Sequence, residues 1–324
     1  MTMLRFTLRP RTAFGSPLLG ETLFGQVCWA IAHMKGGGRL TGLLEGYAEG
    51  RPFLALSDAF PKGFLPLPAL PAFLWRADPG AGRKELKRRK WVPLCAVGRP
   101  LAEWRDAAVT DEGAAGEASG RGGRPRALRV SDAVVHNTID RITGTTGTGQ
   151  FAPYASSQTW LNAATGLSVW ASVDESRLSR EDLAEALAWV GLSGYGRDAS
   201  AGLGKFELDG APEEVEFRAP GATGRTWLTL ASCALCGVDG ADEEKTFYRI
   251  RTHFGRHGDA LALTGAPFKR PVVLAESAAL VTLEAPVETT VLGRGLAGVS
   301  PAHPETVHQG WAPAFAIPDL VIAD

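Results

Sequence analysis

The sequence predicts an α+β protein built from two ferredoxin-like (RRM-like) βαββαβ units, the first with a basic insertion and the second degenerate and β-rich. Three observations support this class. The chain of 324 residues is long enough for two medium-sized domains. Its first part shows strand and helix patterns in the order of such a unit. Its last part shows strand patterns with little helical signal. We therefore expect domains at 1–209 and 210–324.

A change of hydrophobic period separates the first strand from the first helix. Leu4, Phe6 and Leu8 alternate with polar residues up to Pro10, which is typical of a half-buried strand. From residue 21 to residue 34 the apolar residues recur every three or four positions, which predicts an amphipathic helix. Trp29 lies on the opposite face of this helix, where either a partner or a covering loop would contact it.

Residues 76–129 differ in composition from the rest of the chain. They contain 13 Lys and Arg against 7 Asp and Glu, whereas the remainder contains 21 against 28, for a net charge of −1 overall. Basic residues concentrated in one segment indicate contact with a polyanion. The tract at 111–126 is rich in Gly, Ala and Arg, so we expect an insertion that is partly disordered when free.

The first unit closes with a strand, a helix, a glycine-rich loop and a further strand. LSVWASVD at 167–174 predicts a strand, and Ser179 with Asp182 resembles a capping box that begins a helix. Glycines follow this helix in the loop at 194–204, and GKFELD at 204–209 predicts the closing strand. After a linker at 210–224, strand patterns recur near 225–237, 246–255 and 271–287.

The glycine-rich stretch GYGRDASAGLGKF, at 194–206, admits two interpretations. Bare backbone can approach phosphates closely, with Arg197 and Lys205 supplying positive charge. The loop follows a helix and precedes a strand, however, which is the reverse of a nucleotide-binding turn. A turn built for close packing is the alternative.

Composition excludes several classes of protein. Four cysteines in a chain of this length do not form a disulfide framework, and the first residues have no apolar signal region. No stretch reaches the length of a transmembrane helix. We expect a cytoplasmic protein without a membrane partner and without a cofactor.

Six motifs in order along the chain resemble the RAMP superfamily of CRISPR–Cas systems. Within it the closest resemblance is to subunit four of the type III-A Csm effector complexes, which caps the 5′ end of the guide RNA. Besides the glycine-rich loop, the motifs are GETLFGQVCWAI at 20–31, LSDAFPKGFLPLP at 56–68, HNTIDRITGTT at 136–146, PFKRPVVLAESAAL at 267–280 and VHQGWAPAFAIP at 307–318.

The resemblance implies RNA binding rather than catalysis. It implies that the two units hold the repeat-derived 5′ handle of the crRNA, and that the segment at 76–129 occupies the place of the family's thumb. The partners it implies are the crRNA, the large signalling (polymerase-like) subunit, the backbone RAMP subunit and, indirectly, target RNA. The candidate RNA contacts are His136, Asn137, Arg141, Thr143, Gly194, Gly196, Arg197, Ser200, Gly202 and Lys205.

Two alternatives to this interpretation remain open. Cys233, Cys236, His253 and His257 have a spacing close to that of a structural zinc site, although the two segments alternate like buried strands. RAMP relatives that cleave CRISPR repeats use a histidine as general base, and His33 near Lys35 would be the candidate here. KGGGR at 35–39 lacks the aspartate on which target-cleaving relatives depend.

Overall fold

The computed structural model describes residues 1–76, 80, 82–118, 127–236 and 238–321. Its α-helices are α1 Gly20–Lys35, α2 Gly37–Leu44, α3 Arg83–Arg88, α4 Trp104–Ala107, α5 Asp111–Ala118 and α6 Arg180–Ser193. Its strands are β1 Thr2–Pro10, β2 Leu54–Leu56, β3 Phe60–Pro61, β4 Phe64–Pro66, β5 Trp91–Pro93, β6 Arg129–His136, β7 Tyr154–Leu161, β8 Leu167–Val173, β9 Phe206–Leu208, β10 Glu213–Glu214, β11 Thr226–Thr229, β12 Ile250–His253, β13 Val272–Ala275, β14 Leu280–Thr282, β15 Val291–Gly293 and β16 Trp311–Ile317. No helix in this described part is long and apolar enough to cross a membrane.

An antiparallel sheet organises the first half of the chain. Its strands lie in the order β10–β1–β8–β2, while β9 also pairs with β1 and β3 with β8. In this register Phe6 of β1 lies opposite Val169 of β8. The principal elements follow one another as β1, α1, β2, β8, α6 and β9. The predicted order of strands and helices in this half is therefore confirmed.

Helices α1 and α6 cover one face of this sheet. Leu4, Phe6 and Leu8 of β1 are buried in one cluster with Leu23, Val27 and Ile31 of α1 and Leu183, Leu187 and Val190 of α6. Each such side chain contributes roughly 1.5–3 kcal/mol when fully buried. At the start of α6 the Ser179 hydroxyl accepts a hydrogen bond from the Asp182 N–H at 3.1 Å. The two amphipathic patterns thus form the helices that they predict.

The other face of the sheet packs against the second half of the chain. Met3, Phe60 and Trp170 share a core cluster with Leu228 of β11 and Phe315 of β16. Because successive side chains of a strand point to opposite faces, this cluster lies across the sheet from the helices. The two halves therefore share a core, and their division into domains at 209–210 stays a prediction.

Part of the predicted insertion at 76–129 belongs to the core, and its partial disorder when free stays a prediction. Val92 and Trp104 are fully buried, and they belong to the core shared by the two halves. Short helices and the β4–β5 pair order the segment, and residues 111–118 form α5. The high positive charge of this segment drew attention away from its apolar side chains. These are widely spaced in the sequence, yet they reach the core shared by the two halves. Residues 77–79, 81 and 119–126 of the expected insertion lie outside the described residues.

The second half is rich in strands, as predicted. Its main sheet has the antiparallel order β14–β11–β16–β15, and β12 pairs with β13 in a separate ribbon. Its described residues, 210–236 and 238–321, contain no α-helix. The segment around Gly258 lies against Trp29, since a Cβ on that glycine would be 3.0 Å from the indole Nε1. The covering-loop alternative for Trp29 is therefore the correct one.

Strands β6 and β7 form a hairpin whose side chains are mostly exposed. Eight residue pairs join the strands, from Arg129 opposite Leu161 to His136 opposite Tyr154. The exposed fractions of Val135 and Trp160 are 69% and 49%. No strand was predicted over 129–136, so this hairpin is a feature that the sequence pattern missed.

Candidate functional site

The glycine-rich loop contacts another segment of backbone. Tyr195 N–H donates to the Gly204 carbonyl at 2.9 Å, and Gly204 N–H donates to the Ala13 carbonyl at 2.7 Å. Gly204 has φ 75°, and a Cβ there would overlap the Tyr195 carbonyl oxygen. Gly194 has φ 101°, and its Cβ would be 2.6 Å from the Leu203 carbonyl oxygen. The close-packing interpretation therefore accounts for these two glycines.

Tyr195 connects this loop to the start of α1. Its side chain is fully buried. The hydroxyl donates to the Pro17 carbonyl at 2.8 Å and accepts from the Leu19 N–H at 2.9 Å. Leu19 directly precedes α1. The loop therefore holds the segment at 17–19 in place, and with it the first turn of the helix.

Arg197 connects the loop to the hairpin. Its N–H donates to the Ser16 hydroxyl at 3.0 Å, and its guanidinium donates to the Ser157 carbonyl of β7. The guanidinium also lies 3.3 Å from the Asp198 carboxylate. These contacts give Arg197 a structural role beside the middle of β7. The Gly196 backbone lies beside Ser16, since a Cβ there would be 3.1 Å from the serine side chain.

The remaining predicted residues of the loop are more open. Ser200 is exposed, and Gly202 has φ 91° with no described atom within 4 Å of the place that a Cβ would take. Lys205 is partly exposed, while its backbone N–H donates to the Thr12 hydroxyl at 2.9 Å. These three residues could contact a ligand without losing a contact of the fold.

The second predicted motif lies at the outer end of the hairpin. The His136 ring stacks on Tyr154 at 5.1 Å and 18°, and its Nε2 lies 2.8 Å from the Ser156 hydroxyl. Asn137, Arg141 and Thr143 are exposed in the loop that follows β6. Tyr154 and Ser157 are three residues apart on β7, which is about 10 Å at the rise of a strand. The glycine-rich loop therefore contacts the middle of this ribbon, whereas the second motif lies at its outer end.

A groove of about 550 Å³ lies beside the base of the hairpin. Segment 14–19, residues 58–61 and the inner ends of β6 and β7 form its walls. Hydroxyl groups dominate its polar lining, together with one guanidinium and one carboxyl. These polar residues are Ser16, Ser131, Ser157, Thr159, Ser277, Arg129 and Asp58. Such groups suit the phosphates, ribose hydroxyls and base edges of single-stranded RNA.

Asp58 lines this groove. Its Oδ1 accepts a hydrogen bond at 2.8 Å from the Gly20 N–H, in the first turn of α1. Burial, with the neighbouring Glu21 carboxylate as the second cause, raises the pKa of Asp58 to about 7. Glu21 and Asp58 are distant in the sequence and approach each other only through the tertiary fold.

Glu21 connects α1 to the second half. Its carboxylate is completely buried and lies 3.0 Å from the Arg251 guanidinium and 3.5 Å from His253 Nδ1. Burial raises the pKa of Glu21, which Arg251 partly opposes. His253 packs against His308 at 5.0 Å, and burial lowers their pKa values to about 4 and about 3 respectively. The beginning of α1 is thus fixed from both halves of the chain.

The four residues of the zinc alternative do not come together. His253 contacts Glu21 and Arg251, whereas His257 hydrogen-bonds the Ser300 hydroxyl at 2.9 Å. Cys233 is buried and Cys236 is exposed. Throughout the described part of the chain, no group of three or more His, Cys, Asp or Glu side chains is arranged to hold a metal ion.

His33 and Lys35, the candidates of the catalytic alternative, form contacts within the fold. His33 pairs with Asp259 and stacks on Trp189 at 5.4 Å. Lys35 lies 3.1 Å from both Asp182 and Glu185 of α6. His33 is also about 20 Å along α1 from the groove, at a rise of roughly 1.5 Å per residue.

Comparison with solved structures finds the same fold in chains of type III-A CRISPR–Cas assemblies. A chain of the Csm3–Csm4 subcomplex of the interference complex matches with a TM-score of 0.61 and 13% identity, over 98% of this chain and 100% of that one. A chain of a Csm1–Csm4 cassette bound to pppApA matches with a TM-score of 0.59 and 15% identity, over 100% of both. A chain of the cassette bound to cA4 matches with a TM-score of 0.58 and 14% identity, over 99% and 100%.

No protein-family model matches the sequence, and no curated protein matches it significantly. These two structural matches cover at least 98% of this chain and 100% of each matched chain, and they confirm the predicted resemblance at the level of the fold.

Proposed function

We propose that the chain is a Csm4-like RAMP subunit of a type III-A CRISPR–Cas interference complex. The observation that carries this proposal is the match, over the whole of both chains, to the fold of chains from Csm1–Csm4 and Csm3–Csm4 assemblies. A shared domain alone would leave part of one chain unmatched. Antiviral defence is the biological role that follows.

The proposed architecture consists of two ferredoxin-like units at 1–209 and 210–324. The spatial order β9–β1–β8–β2, with α1 after β1 and α6 after β8, supports this description of the first unit. The second unit would be a degenerate form in which strands persist and the helices are lost.

In this proposal the chain binds the 5′ handle of the crRNA along the groove and the hairpin. The exposed loop residues Asn137, Arg141 and Thr143 would contact the RNA at the outer end, and Ser200, Gly202 and Lys205 near the groove. His136, Gly194, Gly196 and Arg197 would act by shaping these surfaces, because their contacts lie within the fold.

The proposed protein partners are the large signalling subunit and the backbone RAMP subunit. Solved chains of this fold come from assemblies with Csm1 and with Csm3, which supports two separate docking surfaces. The chain would join these two subunits, and target RNA would contact it only through the assembled complex.

The proposed role is non-catalytic. The paired carboxyl groups Glu21 and Asp58 lie beside Arg251, and the described residues provide no metal-binding cluster around them. The alternative of a repeat-cleaving endoribonuclease gains no support, because His33 is engaged by Asp259 and Trp189 far from the groove.

Reconstitution tests this proposal. We expect the purified chain to form a stable complex with Csm1-type and Csm3-type subunits and a guide RNA, as measured by size-exclusion chromatography, and to leave repeat RNA intact. Cleavage of repeat RNA that disappears in a His33→Ala variant would contradict the proposed role. Failure to join either subunit would contradict the assignment to the complex.

A further inference from the structure

Asp58 is the single acidic side chain among the described residues that line the groove. It is half-buried, so part of its surface remains accessible from the groove. The lining otherwise consists of apolar groups, hydroxyl groups and the guanidinium of Arg129. A carboxyl is an unfavourable neighbour for phosphate. It is, however, a favourable acceptor for an amino group.

The orientation of this carboxyl is fixed by the fold. Oδ1 accepts the Gly20 N–H at 2.8 Å, and the Asp58 N–H donates to the Leu230 carbonyl at 2.9 Å. A carboxylate has about four lone-pair sites, so the Gly20 N–H and the neighbouring Ser277 hydroxyl leave capacity for more hydrogen bonds. A rigidly held acceptor in a pocket is the kind of group that fixes the orientation of a ligand.

The rest of the groove suits one nucleotide. Its volume of about 550 Å³ lies within the range of small-ligand sites. Arg129 lies at the rim with a side chain that is 49% exposed, even though Asp111 is 3.4 Å from it. Ser131 and Thr159 present hydroxyl groups on the adjacent wall. These groups can hold phosphate and ribose while a base points toward Asp58.

We propose that the groove binds one nucleotide of the handle RNA and that Asp58 selects its base by accepting a hydrogen bond from an exocyclic amino group. This inference rests on the proposed function and names a residue that determines base specificity at that site. The amino groups of cytosine and adenine are donors, whereas uracil presents a carbonyl acceptor at the equivalent position. Above its pKa of about 7 the Asp58 carboxyl is ionised, and a carboxylate facing that carbonyl leaves two acceptors opposed, so uracil is disfavoured.

The test is a binding titration at a pH well above 7, where Asp58 is ionised, with a set of handle-bearing RNAs in which each handle nucleotide is replaced in turn by uracil. For the wild-type protein we expect one position at which uracil weakens binding about tenfold. In an Asp58→Asn variant the amide oxygen can still accept the Gly20 N–H, and the amide nitrogen then presents a donor to the groove. The preference at that position should therefore disappear or reverse in favour of uracil.

Asp132→Asn is the matched control, because it removes the same charge from β6 outside the groove lining. It should keep the wild-type preference. A second measurement needs no variant: replacing an adenosine at the sensitive position with purine riboside removes only its amino group, and should cost wild-type affinity by a similar factor. For a sensitive cytidine the corresponding analogue is 2-pyrimidinone riboside.

The outcomes separate this inference from the proposed function. Wild-type protein that binds handle RNA with no uracil-sensitive position overturns the base-selecting role and leaves the proposed function intact. An unchanged preference in Asp58→Asn, with its folding verified by thermal unfolding, also overturns that role. Absence of any RNA binding by the wild-type protein overturns both.

Discussion

The glycines of the loop at 194–204 differ in their surroundings. Gly204 has φ 75° and lies against the Tyr195 backbone, whereas Gly202 has φ 91° and open space around it. Both positions favour glycine through their backbone conformation. Only Gly204 adds a direct overlap with another part of the chain. Comparing substitutions at these two positions therefore distinguishes the cost of backbone strain from the cost of a steric clash.

We expect Gly202→Ala to lower the free energy of unfolding by roughly 1–2 kcal/mol, the cost of a left-handed alanine. Gly204→Ala should cost about 3 kcal/mol or more, because a clash with backbone is added to that strain. Urea unfolding of both variants measures the difference. Equal losses would show that the loop is not tightly packed at Gly204.

The pKa of Asp58 gives a second prediction at this scale. The folded state raises that pKa from its ordinary value of 3.8 to about 7, so folded protein keeps the proton to a higher pH than the unfolded chain does. The free energy of unfolding should therefore fall, through this group, as the pH rises from about 4 to about 7. In Asp58→Asn this contribution is absent.

The measurement is the difference between the wild-type and Asp58→Asn unfolding free energies across this pH range. The subtraction matters because His253 and His308, whose pKa values are lowered to about 4 and about 3, contribute with the opposite sign below their ordinary value of 6.5. A pH-independent difference would contradict the raised pKa of Asp58.

The sequence pointed to individual glycines and charged residues more reliably than it indicated what those residues contact in the fold. It singled out Arg197, yet nothing in the local pattern shows that the guanidinium donates to Ser157, since that contact joins distant segments. Asp58 was visible within a motif. Its significance depends on Glu21 and on a groove wall from β6 and β7, which no spacing in the sequence encodes.

At the scale of elements, the hairpin β6–β7 depends on a few contacts along β7. Arg197 donates to the Ser157 carbonyl, and Phe14 forms an isolated bridge with Thr159. We expect Arg197→Ala to increase amide hydrogen exchange in β7 about tenfold, as the loss of one or two hydrogen bonds implies.

Arg141→Ala is the control for this variant, because Arg141 is exposed at the outer end of the hairpin. It should leave amide exchange in β7 unchanged. It should instead lower the salt dependence of RNA binding by roughly one phosphate contact. Equal exchange rates in the two variants would show that Arg197 does not anchor the hairpin.

Periodic elements were predicted well and isolated pairs of strands were not. The stripes of α1 and α6 and the alternation of β1 follow from burying one face of a helix or strand against a core. The hairpin buries neither face fully, so its sequence does not alternate between apolar and polar residues as a half-buried strand does. Its apolar residues Val135 and Trp160 are exposed. For residues 76–129 the prediction relied on charge and glycine content and gave too little weight to the dispersed tryptophans, which are buried in the core.

At the scale of the whole molecule, the shared core makes both halves and the segment at 76–129 depend on one another. Trp104 is fully buried in the cluster that contains Met3 of β1 and Phe315 of β16. We expect Trp104→Ala to lower the free energy of unfolding by about 3–5 kcal/mol, as cavity formation in a core does. Calorimetry should show this loss in a single transition. A loss near zero would mean that the segment is independent of the core.

The central claim is that this chain binds the crRNA handle, and the most direct measurement is a binding titration across salt concentrations. The purified protein is titrated with a guide RNA that carries its repeat-derived 5′ handle and with the same RNA lacking it. The account predicts tighter binding to the first RNA that persists at physiological salt, because hydrogen bonds to bases and ribose survive screening while phosphate contacts weaken. Equal and strongly salt-dependent binding to both RNAs would contradict a handle-binding groove.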